Sequence, residues 1–485
     1  MDPAATSPRR APAPVGYGAP MDQPWTGDAC SLVEAFRTGE RHPVEELDAT
    51  LGAIDTSDLN AFSFLAPEQA RERAAGADVQ APFGGVPLGI KELDQVAGWP
   101  DTHASAPLAD RVASYTTTHV ERVTGAGAVP VGLTTASEFG GVNLTRTVLN
   151  GATHNPWDRT RTPGGSSGGS ASAVAGGLVP LATGGDGGGS IRIPAGFTGL
   201  LGLKTTFGRI PRGPHYDVGA LTVTVGGLTR SVRDTARWLD VAEGADRHDP
   251  HSLPRVGGWE EGLGTHLDEL RGLRVAIIDR FAGAVVSPAT AAVVRAAGEA
   301  LVGDLGLRMV DVDVDIPSVG TAWSLANMAG AFAVLGDEWP GCADQLTPEM
   351  RFACEWAAGR GLDFDALIRL EARRTALFES MAELFTQTDL VVTSTNPDVA
   401  FAADGPLPSV FGGIEDTMAN NGRLTIPSNL YGNPAVSIPV GAVDGLPVGM
   451  QVLAPHHAEA LLLDAAWVAE RERPWPLTAP PGSGR

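Results

Sequence analysis

"TPGGSSGGSASAVAGGLVPLATGGDGGGSIRIP", residues 162–194, is the stretch on which the fold turns. Its eleven glycines suggest a linker. A flexible linker, however, is Gly/Ser-rich throughout and carries no apolar element. Here two glycine clusters flank an apolar segment, 171–183, and the second runs directly into Ile191, Ile193 and Pro194. Glycine permits positive φ and lets a backbone approach a ligand closely. Gly187, Gly188 and Gly189, just before Ser190, can therefore turn several N–H groups toward one point, a nest suited to an anion. A serine hydroxyl beside such a nest supplies what acyl transfer needs, a nucleophile and an oxyanion hole.

Other glycine-loop chemistries fit less well. A P-loop ends in Gly-Lys-Ser/Thr, whereas Lys204-Thr205 follows Leu203. No GxGxxG lies between a strand and a helix. Gly165-Ser166-Ser167-Gly168-Gly169 satisfies the GxSxG elbow of α/β-hydrolases with Ser167 central. No clear strand precedes it, and the late histidines such an esterase would need, His456 and His457, sit together in a loop.

Working outward, "DACSLVEAFRTGERHPVEELDATLGAID" (28–55) predicts two helices broken at Pro43. "GGVPLGIKEL" (84–93) predicts a buried strand, "AVPVGLTTASEF" (128–139) a strand and turn, and 171–185 a short helix followed by a buried strand. "LRVAIIDR" (273–280) is a strand. Ser287 and Pro288 open a helix over 287–306. "RMVDVDVDIP" (308–317) alternates apolar and acidic residues, so a strand with one wet face is expected. Residues 347–387 read as helices, and 388–395 and 435–441 as strands. Strands alternating with helices predict a layered α/β fold. No repeat or linker is visible past residue 26. One large domain over 27–480 is expected, after a Pro/Ala-rich, disordered tail at 1–26.

The chain has 485 residues, 43% hydrophobic and 19% charged, with a net charge of −22. Such composition is ordinary for a globular chain with a sizeable core. The acidity argues against nucleic acid or anionic lipid as a partner. Cys30, Cys342 and Cys354 form no disulfide framework and no CxxC metal site, which suits a reducing cytoplasm. No secretory signal and no run of 18 apolar residues is found. No metal or cofactor is expected. Lys91 and Lys204 are the only lysines, against 33 arginines. Arginine serves as a surface cation but cannot deprotonate to act as a base, so the two lysines stand out.

The segment from Asn155-Pro156-Trp157-Asp158 through "RTPGGSSGGSASAVAGG" to "GGSIRIPAGFTGLLGLK" resembles the signature of the amidase signature family of serine hydrolases nearly end to end. "GVPLGIKEL" resembles its lysine-bearing strand, and "LYGNPAVSIPVG" with "GLPVGMQVLAP" (430–455) its closing segment. The resemblance is weakest between 210 and 425. It implies a mixed, twisted central β-sheet wrapped by α-helices and a Ser-Ser-Lys triad. Ser190 is then the nucleophile, Ser166 the bridging serine on a cis peptide, and Lys91 the base. Asp186 and Arg192 would brace the loop, Ser167 would hydrogen-bond within the site, and Lys204 would be structural.

The chemistry is coherent in its own terms. A lysine near its ordinary pKa of about 10.4 is protonated at neutral pH. Burial in an apolar strand frees the amine. Lys91 can then draw a proton from Ser190 through Ser166, and the reversed relay protonates the departing nitrogen. The N–H groups of Gly187, Gly188, Gly189 and Ser190 would hold the oxyanion.

Small amides are the expected substrates, aryl amides and carbamates included, and the chain also resembles the family's bacterial urethanases. A monomer or homodimer without nucleic acid or membrane is expected. The A-subunit branch of the tRNA-dependent amidotransferases and a non-catalytic scaffold are alternatives. "GRIPRGPHYDVGALTVTVGGLTR" (208–230) departs from the pattern of the first. Gly185 and Gly187 stand where the family often has Thr or Ser, which predicts a looser loop or more room. The region 320–425, with Trp323, Met328, Phe332, Trp339, Trp356, Phe378 and Phe411, is expected to include the pocket wall, most of these side chains being core residues.

Overall fold

The apolar runs Pro87–Lys91 and Val129–Thr134 are buried at every position. Strands buried on both faces need helices on both sides. The computed structural model describes residues 22–215, 221–360 and 364–480 and shows that arrangement. The strands of the main sheet are β1 (Phe62–Leu65), β2 (Pro87–Lys91), β3 (Val129–Thr134), β4 (Leu181–Asp186), β5 (Leu201–Lys204), β6 (Thr224–Thr229), β7 (Arg274–Ile277), β8 (Arg308–Met309), β9 (Leu390–Ser394), β10 (Ala435–Val443) and β11 (Leu446–Leu453). They form one eleven-stranded sheet in the order β1-β3-β2-β4-β6-β5-β10-β11-β9-β7-β8. β2 runs parallel to β3 and β4, and β7 parallel to β8 and β9; the remaining pairs are antiparallel. The sheet is mixed and helix-wrapped, as the resemblance implies.

Register places the site. Leu88 of β2 pairs with Leu181 of β4. Lys91 and the pair Gly185-Asp186 therefore emerge at the carboxyl edge of neighbouring parallel strands, where open α/β sheets bind ligands. Helix Gly168–Ala175 is buried along its whole length. Its Gly169 N–H donates to the Thr135 carbonyl at 2.9 Å. A Cβ at Gly169 would lie 2.4 Å from Thr135 N, so glycine is what lets this helix lie against the chain leaving β3.

The helices expected in 28–55 are Ala29–Thr38 and Pro43–Thr56, the first capped by Asp28 accepting from Ser31 N. Helix Pro288–Leu305 follows Ser287. Helices Pro348–Arg360 and Phe364–Gln387 occupy the region read as helical. The strand expected over 308–317 is cut short. Only Arg308–Met309 pairs with β7; beyond, the valines stay half-buried and the aspartates exposed.

Of the tail expected at 1–26, residues 1–21 lie outside the described residues. Trp25, within the rest, is only 4% exposed and donates its N–H to Glu46 at 2.8 Å, so packing begins before residue 27. The three cysteines are free and buried. Among the described residues no helix is long and apolar enough to cross a membrane.

Gly169→Ala should force the signature helix off β3's end. The expected cost is about 1–3 kcal/mol, the usual range for overpacking, read as a lowered midpoint in urea unfolding; an unchanged midpoint would show that the helix seat is slack.

Candidate active site

The strand β2 carries Lys91 into the interior, where it is 2% exposed. Its main-chain N–H donates to Thr183 Oγ1 at 2.7 Å. Its Nζ donates to Ser166 Oγ at 2.9 Å and to the Gly185 carbonyl at 3.4 Å. Ser166 follows a cis Gly165–Ser166 peptide, and its carbonyl accepts from Ser137 N at 3.1 Å. Lys91, Ser166, Ser190, Gly187 and Gly188 line one cavity of about 420 Å³, a volume suited to a small ligand. The three expected triad residues are thus brought together. No hydrogen bond joins Ser166 to Ser190 among the described residues; in unliganded sites such contacts are often long and tighten with substrate.

Burial pulls the Lys91 amine down to about 8, against the opposing pull of Asp94 and Asp186. Burial takes Lys204 lower, to about 7, with the Arg192 charge adding to it. The two amines differ in place, and only Lys91 lines the cavity with Ser166 and Ser190. Lys204 Nζ donates to the carbonyl of its neighbour Thr205 at 2.9 Å, and it lies outside the cavity.

Asp186 ends β4 and Arg192 opens helix Arg192–Thr198. They pair through Arg192 Nε to Asp186 Oδ2 at 2.9 Å and Nη2 to Oδ1 at 2.8 Å, both fully buried. Burial alone would raise the Asp186 carboxyl. Arg192, Asn429 and Lys204 outweigh it and hold Asp186 far below the usual carboxylate range. Asn429 donates to Asp186, and Arg192 reaches Gln451, Ser428 and the Thr425 carbonyl.

The oxyanion nest is smaller than the sequence suggests. Gly189 N–H is taken by Asp186 Oδ1 at 2.7 Å, so it cannot serve a substrate. The N–H groups of Gly187, Gly188 and Ser190 have no hydrogen-bond partner among the described residues. Ser167 Oγ donates to the Gly185 carbonyl at 3.4 Å, a role inside the site. It is fully buried and does not line the cavity, and neither His456 nor His457 does, which removes the GxSxG elbow. At Gly187 the space of a side chain is filled by Val223, 2.9 Å from an added Cβ; at Gly185 a Cβ would fit in ordinary contact, its nearest atom being Lys91 Nζ at 3.8 Å.

The wall comes mainly from elsewhere than 320–425. Trp323, Asn327 and Val334 contribute from that region, while Leu93, Tyr115, Phe139 and Val223 supply much of the rest. Phe332 and Trp339 pack with Met328 and Trp356 in a separate core, Phe378 packs on Tyr431, and Phe411 is fully buried. The sequence reading also missed Asp94 and His119. Asp94 accepts from Thr183 Oγ1 at 2.6 Å and lies 3.3 Å from His119 Nε2. Burial raises Asp94, but His119, Thr183 and Lys91 outweigh it and lower it. An acid three residues after a buried lysine was the available signal. Asn429 had one too, a residue ahead of the closing segment.

A family model described as Amidase matches residues 45–463. The glutamyl-tRNA(Gln) amidotransferase A-subunit of Lacticaseibacillus paracasei is 31% identical across 93% of this chain and 98% of its own length. That of Chloroflexus aurantiacus is 34% identical across 92% and 96%. A bacterial aryl acylamidase of the amidase signature family superposes with a TM-score of 0.86 at 28% identity, covering 93% of this chain and 97% of that one. The 6-aminohexanoate cyclic dimer hydrolase gives 0.83 at 28%, covering 94% and 98%. The chain belongs to the amidase signature family, whose chemistry is at the amide C–N bond. The amidotransferase branch, set aside on residues 208–230, is nevertheless well represented among its relatives.

Two outcomes follow from this site. Lys91 is a base only when neutral, so kcat/KM should rise with pH through about 8 and level off above it, falling about tenfold per pH unit below; a profile flat from about pH 5 to 9 would exclude Lys91 as the base. Asp186→Asn leaves the Arg192 charge buried without a counter-ion. It should cost about 3–5 kcal/mol of stability in denaturant unfolding, whereas a loss below about 1 kcal/mol would show the pair to be dispensable.

Proposed function

We propose that this protein is a self-sufficient amidase that hydrolyses small amides and carbamates, aryl ones included, through an acyl-enzyme on Ser190. The observation that carries this is the Lys91 Nζ–Ser166 Oγ hydrogen bond of 2.9 Å in the cavity that also presents Ser190. Ser190 Oγ attacks the carbonyl carbon while its proton passes to Ser166, whose own proton passes to Lys91 Nζ. The oxyanion sits among the N–H groups of Gly187, Gly188 and Ser190. The proton then returns to the nitrogen, the C–N bond breaks and the amine departs. Water, activated by the same relay, releases the acid. With a carbamate the acyl-enzyme is a carbonate ester of Ser190. Its hydrolysis gives a carbonic half-ester, which breaks down to an alcohol and carbon dioxide.

Aryl substrates are supported by Tyr115, Phe139 and Trp323 in the wall and by the likeness to an aryl acylamidase. Gly185 leaves room beside the amine. The amidotransferase relatives favour a second reading, in which the chain works as one component of a larger enzyme.

The test is 4-nitroaniline release from an N-acyl-4-nitroanilide and an alkyl N-(4-nitrophenyl)carbamate by the chain alone, without added metal. Wild type should cleave both, and Ser190→Ala should fall about 10⁵-fold or more. Activity that appears only with a second protein would favour the multi-component reading. Full activity in Ser190→Ala would show that another group is the nucleophile.

A further inference from the structure

Helix Gly320–Leu335 reaches the nucleophile loop through Trp323. The indole Nε1–H donates to the Gly187 carbonyl at 2.6 Å. From the other side, Thr425 Oγ1 donates to the Gly188 carbonyl at 2.6 Å. The Gly187 carbonyl and the Gly188 N–H belong to one planar trans peptide and point in opposite directions. Anchoring the carbonyl on Trp323 therefore aims the Gly188 N–H. That N–H has no partner among the described residues, and Gly188 lines the cavity beside Ser190. Anchoring the Gly188 carbonyl on Thr425 likewise aims the next N–H, that of Gly189, which is spent on Asp186. The two anchors thus act on different peptides, and only Trp323 acts on a donor left free.

The ring itself lies against the loop. A Cβ on Gly188 would come 2.6 Å from Trp323 Cζ2, so glycine at 188 is what admits the indole. Trp323 also shares the cavity wall with Asn327, whose Nδ2 donates to the Trp323 carbonyl at 2.8 Å. One side chain is therefore both a wall for the substrate and a support for the peptide that faces it.

We infer that Trp323 is a positioning residue, which sets the Gly188 N–H as an oxyanion donor and so acts on the transition state more than on substrate binding. This rests on the acyl-enzyme proposed above. A pure wall residue would act on KM; a positioning residue acts on kcat.

The experiment compares wild type, Ser190→Ala, Trp323→Phe and Trp323→His on the 4-nitroanilide, with binding of a matched trifluoromethyl ketone, which forms a tetrahedral adduct. Trp323→Phe keeps an aromatic wall and removes the N–H. Its kcat should fall about 10- to 100-fold, less than for outright loss of a donor, with KM within about threefold and ketone affinity falling in step with kcat. Trp323→His keeps a ring N–H and should recover part of kcat. Should Trp323→Phe fail to fold, Trp323→Leu, which also lacks a donor, takes its place under the same kcat and ketone criteria. An unchanged kcat, or a rise in KM with ketone affinity intact, would reduce Trp323 to a wall and overturn the inference alone. A wild type no more active than Ser190→Ala would overturn the acyl-enzyme, and the inference with it.

Discussion

The buried Asp186–Arg192 pair is the constraint on which the rest of the site depends. Burying two charges is costly, and their mutual attraction compensates only when the remaining donors and acceptors are satisfied. Here they are. Arg192 spends its N–H groups on Asp186, Asn429, Gln451, Ser428 and the Thr425 carbonyl. Asp186 also accepts from the N–H groups of Gly189, Ile191 and Arg192. The pair therefore ties the end of β4, the nucleophile loop, the helix after it and the segment 425–451 into one network. Such a network contributes a single geometry more than it contributes stability. It also explains the small nest: N–H groups drawn inward to the carboxylate are those no longer available to a substrate.

The site's chemistry was legible where it lies in local sequence. The two glycine clusters, the apolar strand ahead of Lys91 and the Asp186–Arg192 spacing are each complete within a short run of residues. What was not legible depends on contacts across the fold. Trp323 and Thr425 meet the loop from positions more than 130 residues away. The cavity wall was legible only in part for the same reason: aromatic residues in 320–425 are plentiful, but whether one faces a core or a cavity is decided by which helix face meets which neighbour. Phe332 and Trp323 lie on the same helix and serve different cores. The strand expected at 308–317 shows a related limit: its alternation of half-buried valines and exposed aspartates is real, but only Arg308–Met309 is paired.

The two lysines separate chemistry from environment. Both are buried, and burial lowers both. A search for perturbed groups alone would choose Lys204, the more strongly shifted. Its amine donates to the next residue's carbonyl, away from the cavity that holds Ser190. Perturbation marks a burial cost; a base also needs a proton to take.

In the proposed mechanism the Lys91 amine accepts a proton from Ser190 through Ser166 and later returns it to a poor leaving group. A lysine left in water would stay charged and could not begin; one pushed too far down would be too weak a base to draw the serine proton. The two carboxylates near Lys91 hold it between these limits. Asp94 is kept ionised by His119 and Thr183, and Asp186 by Arg192; both draw the amine back up against the burial that lowers it. The resulting value of about 8 leaves part of the amine neutral near neutral pH while it stays basic, the balance that a general base needs. In this way the loop brace and the proposed general base are one electrostatic system: the ion pair that draws the Gly189 N–H inward also helps to set the Lys91 amine.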